Sequence, residues 1–427
     1  MLCLCLVIIT ICLIIASILF FPSIRIGNHR ISCYWVISLI AAGILILCRQ
    51  VSWENIWGSF TANTSVNPLK ILILFISMTI LSIFLDEIGF FRYIAVASAH
   101  KLKGSQMKLF FGFYALISIL TIFTSNDIII LTFTPFICYY AKNTKINPIP
   151  YLVLEFVAAN TWSMALIIGN PTNIYLASAL HIDFLSYLKV MILPTIIAAG
   201  ISLLLLFLIF RKNLKKPMEE FSETIKKPNP ILLIIGLLHL FITTVLLAIA
   251  SYINLEMWII TISFAGSLLI ITTLYLLIRK EKMTILKYTL LRAPWSLIPF
   301  VLSMFILVLS LNQQGITKQI ESLLLNLSPI YAYGIAGTIT ANLINNIPMS
   351  VLFSNLLTNA PSTAIFASVI ASNIAAFITP IGALAGIMWM KLLKTYDIKF
   401  SFKDFTLYGC IIGIPTLIGA LSILYIF

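Results

Sequence analysis

Apolar runs of spanning length, about 17–25 residues, recur along this chain from end to end. That recurrence restricts the fold more than any other feature. In a bilayer the backbone must satisfy its own hydrogen bonds, which leaves helices and closed barrels. The runs are continuous rather than alternating, so they are helices. Soluble domains carry roughly 25% charged residues; this 427-residue chain carries 10% and is 61% hydrophobic. Too little charge remains to cover a water-facing surface, and no stretch reads as a soluble domain.

Ten spanning helices are predicted, near Leu2–Phe21, Ile31–Cys48, Leu69–Leu85, Ile149–Leu180, Phe184–Phe210, Ile231–Ala250, Met257–Ile278, Ala293–Leu311, Pro361–Met390 and Phe402–Phe427. Two further stretches, Lys108–Ala141 and Pro329–Thr358, read as half-length hairpins with a polar knot at the centre. With the amino terminus outside and each hairpin returning to its own side, 23 of the 27 Lys and Arg residues fall in loops on the inner face. Such a bias sets orientation and predicts both termini outside a bacterial plasma (inner) membrane. The net charge of +13 therefore reads as positive-inside loops on a lipid bilayer, and no nucleic-acid partner is expected. The seven cysteines form no CxxC pair and sit mostly in apolar runs, so they read as packing residues rather than disulfides or metal ligands.

The halves echo each other in order. Leu85-Asp86-Glu87-Ile88-Gly89 matches Leu311-Asn312-Gln313-Gln314-Gly315, and Ser125-Asn126-Asp127 matches Ile344-Asn345-Asn346. Asn160 with Gly169 matches Asn373 with Gly382, and Pro194-Thr195 matches Pro415-Thr416. The offsets are 226, 219, 213 and 221. The first hairpin starts inside and the second outside, so the copies are inverted. The predicted fold is an all-α integral membrane protein of two inverted repeats. Each repeat has five transmembrane helices, a re-entrant hairpin and a discontinuous helix. Residues 1–210 form the first repeat, 211–230 a cytoplasmic linker and 231–427 the second. Inverted repeats with broken helices are characteristic of secondary transporters.

The polar knots carry the chemistry. Thr124-Ser125-Asn126-Asp127 and Asn345-Asn346-Ile347-Pro348 interrupt apolar sequence, and Gly169-Asn170-Pro171-Thr172-Asn173 and Thr379-Pro380-Ile381-Gly382 break two long helices. Irregular backbone at membrane depth is tolerated only where protein buries it or where it lines a cavity. Helix ends aimed there can hold an anion or a cation. The candidate solute- or ion-binding residues are therefore Thr124, Ser125, Asn126, Asp127, Asn160, Thr161, Gly169, Asn170, Thr172, Asn173, Asn345, Asn346, Asn373, Thr379 and Gly382. A mid-membrane carboxylate is costly and functional by default. That makes Asp127, with Asn346 as its repeat counterpart, the first candidate for proton coupling. Glu155, about two turns into its helix and reading as snorkelling or cavity-facing, is the second. His239 reads as helix glue, and Ile88–Leu102 as an interfacial amphipathic helix. No catalytic or ATP-hydrolysis motif is present, so an enzyme is not expected. No cofactor is expected, with H⁺ or Na⁺ as the coupling ion.

Asn55-Ile56-Trp57, Leu85 to Phe91, Ser125-Asn126-Asp127, Arg292-Ala293-Pro294-Trp295, Asn345 to Pro348 and Ile378 to Gly382 resemble the landmarks of ArsB-type arsenite efflux permeases. Those permeases belong to the ion transporter superfamily, with divalent-anion symporters, citrate permeases and one group of sodium/proton antiporters. The resemblance implies a scaffold domain and an elevator-type transport domain in an inner membrane, and arsenite or antimonite efflux by proton antiport or with a cytoplasmic ATPase subunit. For the dicarboxylate carriers of the superfamily it implies a homodimer. Gly169-Asn170-Pro171-Thr172-Asn173 is closer to the citrate, anion and sodium/proton branches, and Asn160 and Asn373 stand where an arsenite pump is expected to carry Asp. Na⁺- or H⁺-coupled transport of citrate or a dicarboxylate and sodium/proton antiport therefore stay open.

Overall fold

A computed structural model describes residues 2–21, 23–26, 29–63, 67–102, 104–219, 227–357 and 359–427. Residues 220–226 of the expected linker, residue 358 at the end of the second hairpin, and residues 22, 27 and 28 of the first expected loop lie outside the described residues.

The chain runs as α1 (Leu2–Phe20), β1 (Ser23–Ile26), β2 (His29–Ser32), α2 (Cys33–Leu47), α3 (Trp53–Thr61), α4 (Pro68–Glu87), α5 (Phe90–Lys101), α6 (Gln106–Phe123), α7 (Asn126–Thr144), α8 (Ile149–Trp162), α9 (Pro171–Ser178) and α10 (Phe184–Phe210). It then begins again: α11 (Pro230–Ile249), α12 (Met257–Arg279), α13 (Thr284–Arg292), α14 (Leu297–Gln313), α15 (Ile316–Leu325), α16 (Pro329–Ile344), α17 (Asn346–Leu356), α18 (Ser362–Ile374), α19 (Leu384–Thr395) and α20 (Phe402–Ile423). Helix for helix, α1–α10 and α11–α20 keep the same order. Short 3-10 turns, Ile167–Gly169 and Ala375–Phe377, stand at matching places after α8 and α18. Both α5 and α15 start on a glycine in the left-handed region, Gly89 at φ 84° and Gly315 at φ 71°. A side chain is strained there, so the repeat extends to backbone conformation.

Local chemistry explains the starts. Asn67 and Asn229 each precede a proline at the first helical position and accept two backbone N–H groups, opening α4 and α11. An Asn cap with Pro at N1 uses donors a helix leaves open anyway. Packing pairs the halves reciprocally: α4 lies on α12 as α14 lies on α2, α7 on α19 as α17 on α9, and α10 runs along α20.

Four expectations need correction. Ser23–Ile26 and His29–Ser32 pair as antiparallel strands, where a loop and the start of a helix are predicted; the alternation of Ser23, Ile24, Arg25 and Ile26 suits a strand. Short helices α3, α13 and α15 occupy stretches read as connections. The arms of the first hairpin are not half-length: α6 and α7 have 18 and 19 residues, against 16 and 11 for α16 and α17. Among the described residues seven helices, α6 included, are long and apolar enough to cross a membrane by length and composition. Ile149–Leu180 and Pro361–Met390 divide at their breaks, and Cys33–Leu47 of α2 is apolar but shorter, at 15 residues. His239 does what a glue residue does: its ring nitrogens meet Ile235 O at 2.7 Å and Ser267 Oγ on α12 at 2.8 Å.

Candidate functional site

The two hairpin tips and the two helix breaks meet in one polar seam inside the apolar bundle. At the first tip the chain leaves α6 at Thr124, whose Oγ1 donates to Leu120 O at 2.7 Å. It turns through extended Ser125 and enters α7 at Asn126. Asn126 Nδ2 donates to Asn160 Oδ1 on α8 at 3.0 Å, and Asn160 Nδ2 donates to Phe156 O at 2.8 Å. Ser125 Oγ and Asn126 Oδ1 of this tip, and Thr161 Oγ1 one residue after Asn160 on α8, are buried and, among the described residues, have no hydrogen-bond partner. A buried polar group left unsatisfied costs about 1–3 kcal/mol, so the two on successive residues of the tip mark a place where another group can supply partners.

The second tip is closed. Asn345 sits at φ 79° and ψ 153°, caps α17 through Ile347 N at 3.3 Å, and donates from Nδ2 to Ile381 O at 3.1 Å. Asn346 N donates to Gly382 O at 3.0 Å, and Asn346 Nδ2 to Ser372 O at 3.3 Å. The helix starts also correct the repeat register. Ser125 occupies the position before α7 that Asn345 occupies before α17, so Asn126 corresponds to Asn346 and the counterpart of Asp127 is apolar Ile347.

Asn373 ties the halves together. Its Oδ1 accepts from Ser163 Oγ at 2.8 Å and Asn170 Nδ2 at 3.1 Å; its Nδ2 donates to Asn173 Oδ1 at 2.7 Å and Val369 O at 2.8 Å. Asn173 Nδ2 donates to Ser163 O and Leu166 O, holding the break before α9, while Asn170 caps α9 and Thr172 Oγ1 meets Ser372 Oγ at 3.0 Å. Thr379 Oγ1 donates to Asn342 Oδ1 at 2.7 Å. The glycines are spacers. A Cβ on Gly169 would stand 2.2 Å from Ser163 O, and one on Gly382 2.1 Å from Ala375 O.

Asp127 lies in the first turn of α7 and is partly exposed. A helix N-terminus favours a carboxylate there. Among the described residues no hydrogen bond or ion pair engages it, and Tyr34 of α2 is within its electrostatic reach. Glu155 neither snorkels nor faces a cavity: it is fully buried, and Thr134 Oγ1 lies 3.1 Å from both its carboxylate oxygens. It sits five residues before Asn160, about 7.5 Å along the helix, so it stands apart from the tip. Ser163, Ser372 and Asn342 join the seam without having been singled out in sequence. Ser163 and Asn342 each lie three residues from an Asn that was, a helical spacing that could have flagged them, and Ser372 directly precedes Asn373.

A family model described as citrate transporter matches residues 31–368. The arsenical pump membrane protein of Escherichia coli (strain K12) is 26% identical over 403 residues, covering 88% of this chain and 87% of that protein. The arsenical pump membrane protein of Yersinia enterocolitica is 25% identical over 412 residues, covering 91% and 90%. Among solved structures, the Alcanivorax borkumensis YdaH transporter superposes with a TM-score of 0.59 at 12% identity, over 100% of this chain and 97% of that one. At that identity the likeness concerns the fold.

Proposed function

The chain belongs to the citrate transporter family, and within that family of membrane transporters we propose that it is a secondary active carrier extruding arsenite or antimonite in exchange for protons. The observation that carries this reading is the pair of partnerless buried atoms at the first tip, Ser125 Oγ and Asn126 Oδ1, with Thr161 Oγ1 next in sequence to Asn160, to which Asn126 donates. Hydroxyl and amide groups with no Lys or Arg among them suit an uncharged polyhydroxyl solute, and arsenite at neutral pH is largely As(OH)₃. Such a solute both donates and accepts, so it satisfies both tip atoms without bringing charge into the bilayer. Charge enters through Asp127 alone, one helical position beyond Asn126 and partly open. Taking a proton on one face and releasing it on the other, it couples the solute to the proton gradient. The relatives from Escherichia coli and Yersinia enterocolitica, which span most of the chain, carry the arsenical pump name, which supports the same reading.

A second reading is Na⁺- or H⁺-coupled transport of citrate or a dicarboxylate. It is favoured by the matching family description and by the N-termini of α7 and α17 at the two tips, because helix N-termini bind carboxylates. Uptake by proteoliposomes separates the two. The first reading expects arsenite accumulation driven by a pH gradient and indifferent to Na⁺ and citrate. Citrate or succinate uptake from verified, folded protein, with no arsenite movement, would replace it with the second.

A further inference from the structure

The repeat makes a comparison that one half alone could not. In the second repeat hairpin arm α16 packs directly on α1. The reciprocal pair is α6 and α11. These two stand apart across a cavity of about 530 Å³, lined by Ile119 and Phe123 of α6, Phe90 of α5, and Phe241, Thr244 and Ala248 of α11. Thr124, at the first hairpin tip, borders it. A carrier of inverted repeats reaches its opposite state when the halves exchange conformations. In that state α6 packs on α11 as α16 now packs on α1, and the cavity closes.

We infer that in the present state this cavity holds a phospholipid acyl chain, which leaves when α6 closes onto α11. The lining excludes water as the resident. Its two hydroxyls are spent internally, Thr124 Oγ1 on Leu120 O and Thr244 Oγ1 on Leu240 O, and a buried water needs two to four polar partners. Both walls are helices of spanning length, and the cavity is continuous with their exposed apolar faces at Ile119, Phe123, Phe241 and Val245. It therefore opens to hydrocarbon. Its extent along α11, from Leu237 to Ala248, is about 16 Å at 1.5 Å per residue. That is close to one leaflet of a hydrocarbon core about 30 Å thick. The volume falls within the roughly 300–1,000 Å³ typical of ligand sites. Because the chain sits against the tip carrying the candidate solute site, lipid exchange and transport become linked.

The test uses the full chain in vesicles of phosphatidylglycerol and phosphatidylethanolamine containing a phospholipid with a diazirine in its acyl chain. Photolabelling mapped by mass spectrometry should be several-fold denser at Ile119, Phe123 and Thr244 than at Ile270 and Leu274, exposed residues of α12. Ala248→Phe should lower labelling at Ile119 and Phe123 and leave α12 unchanged, the α12 signal reporting that the variant is folded. In a cysteine-free background, Phe123→Cys with Thr244→Cys should form a disulfide as the carrier cycles. Labelling no denser than on α12, or unaffected by Ala248→Phe, would overturn the lipid assignment. Failure of the cysteine pair to cross-link in cycling protein would overturn the closure. The labelling readouts do not depend on which solute is carried.

Discussion

Asn373→Ala removes the residue that ties the two helix breaks together, and the geometry sets the size of the effect. Five partners are lost, but three of them retain others: Ser163 Oγ still donates to Asn160 O, Ser372 Oγ still donates to Val369 O, and Val369 O remains in its helix. Asn173 Oδ1 and Asn170 Nδ2 lose the partners that Asn373 provides, and both residues are buried. Two stranded groups at about 1–3 kcal/mol each give a loss of about 2–6 kcal/mol. Interhelical hydrogen bonds in membranes average nearer 0.6 kcal/mol, because the unfolded helices also find partners in the bilayer, which pulls the expectation towards the lower end. Unfolding of the purified protein in detergent by heat or denaturant measures the loss. A cycle with Asn173→Ala should show a coupling of about 0.5–3 kcal/mol. A loss below about 0.5 kcal/mol, the range of surface substitutions, or strict additivity with Asn173→Ala, would refute the claim that Asn373 binds the halves.

Gly169→Ala and Gly382→Ala force a methyl against a backbone carbonyl and should each destabilise by about 1–3 kcal/mol or more, read as reduced folded yield on size-exclusion chromatography; Gly200→Ala, which opens into free space, is the control. Thr132 Oγ1 donates to Asp86 Oδ1 at 2.8 Å, while Arg292 holds the other Asp86 oxygen and Glu87. Thr132→Val should therefore cost about 1 kcal/mol and speed amide exchange in α7 without disturbing α13. The hydrogen bond from Lys70 holds the Glu256 carboxyl below the usual carboxylate range. A depressed value stabilises the fold above the unfolded pKa of about 4.3 and is lost as pH falls through the folded one. Melting curves between pH 3 and 6 should therefore show an acid-side loss that Glu256→Gln reduces.

The repeat was legible because it is written in residues that are hard to replace. Gly89 and Gly315 hold a backbone conformation that favours glycine, and Gly169 and Gly382 have no room for a side chain. The hairpin knots were legible because Asn and Ser stand out in apolar sequence. Division of labour among those Asn residues was not, since it depends on partners 34 to 210 positions away. Asn373 is occupied on both faces and Asn126 is not, yet nothing local distinguishes them. The repeat register slipped by one at the tips because matching Asn to Asn ignored the helix start, which puts Ser125 opposite Asn345. Glu155 was misjudged because its depth was measured from the end of its own helix. Burial comes instead from the elements packed around it, as its contact with Thr134 of α7 shows.

The most direct test is arsenite movement in everted vesicles under an imposed pH gradient, comparing wild type with Asp127→Asn and following arsenite–arsenite exchange in the same preparation. Gradient-driven accumulation lost in Asp127→Asn while exchange persists is the predicted result, because the tip still binds solute but no longer carries the proton. Accumulation that survives Asp127→Asn unchanged would contradict the account.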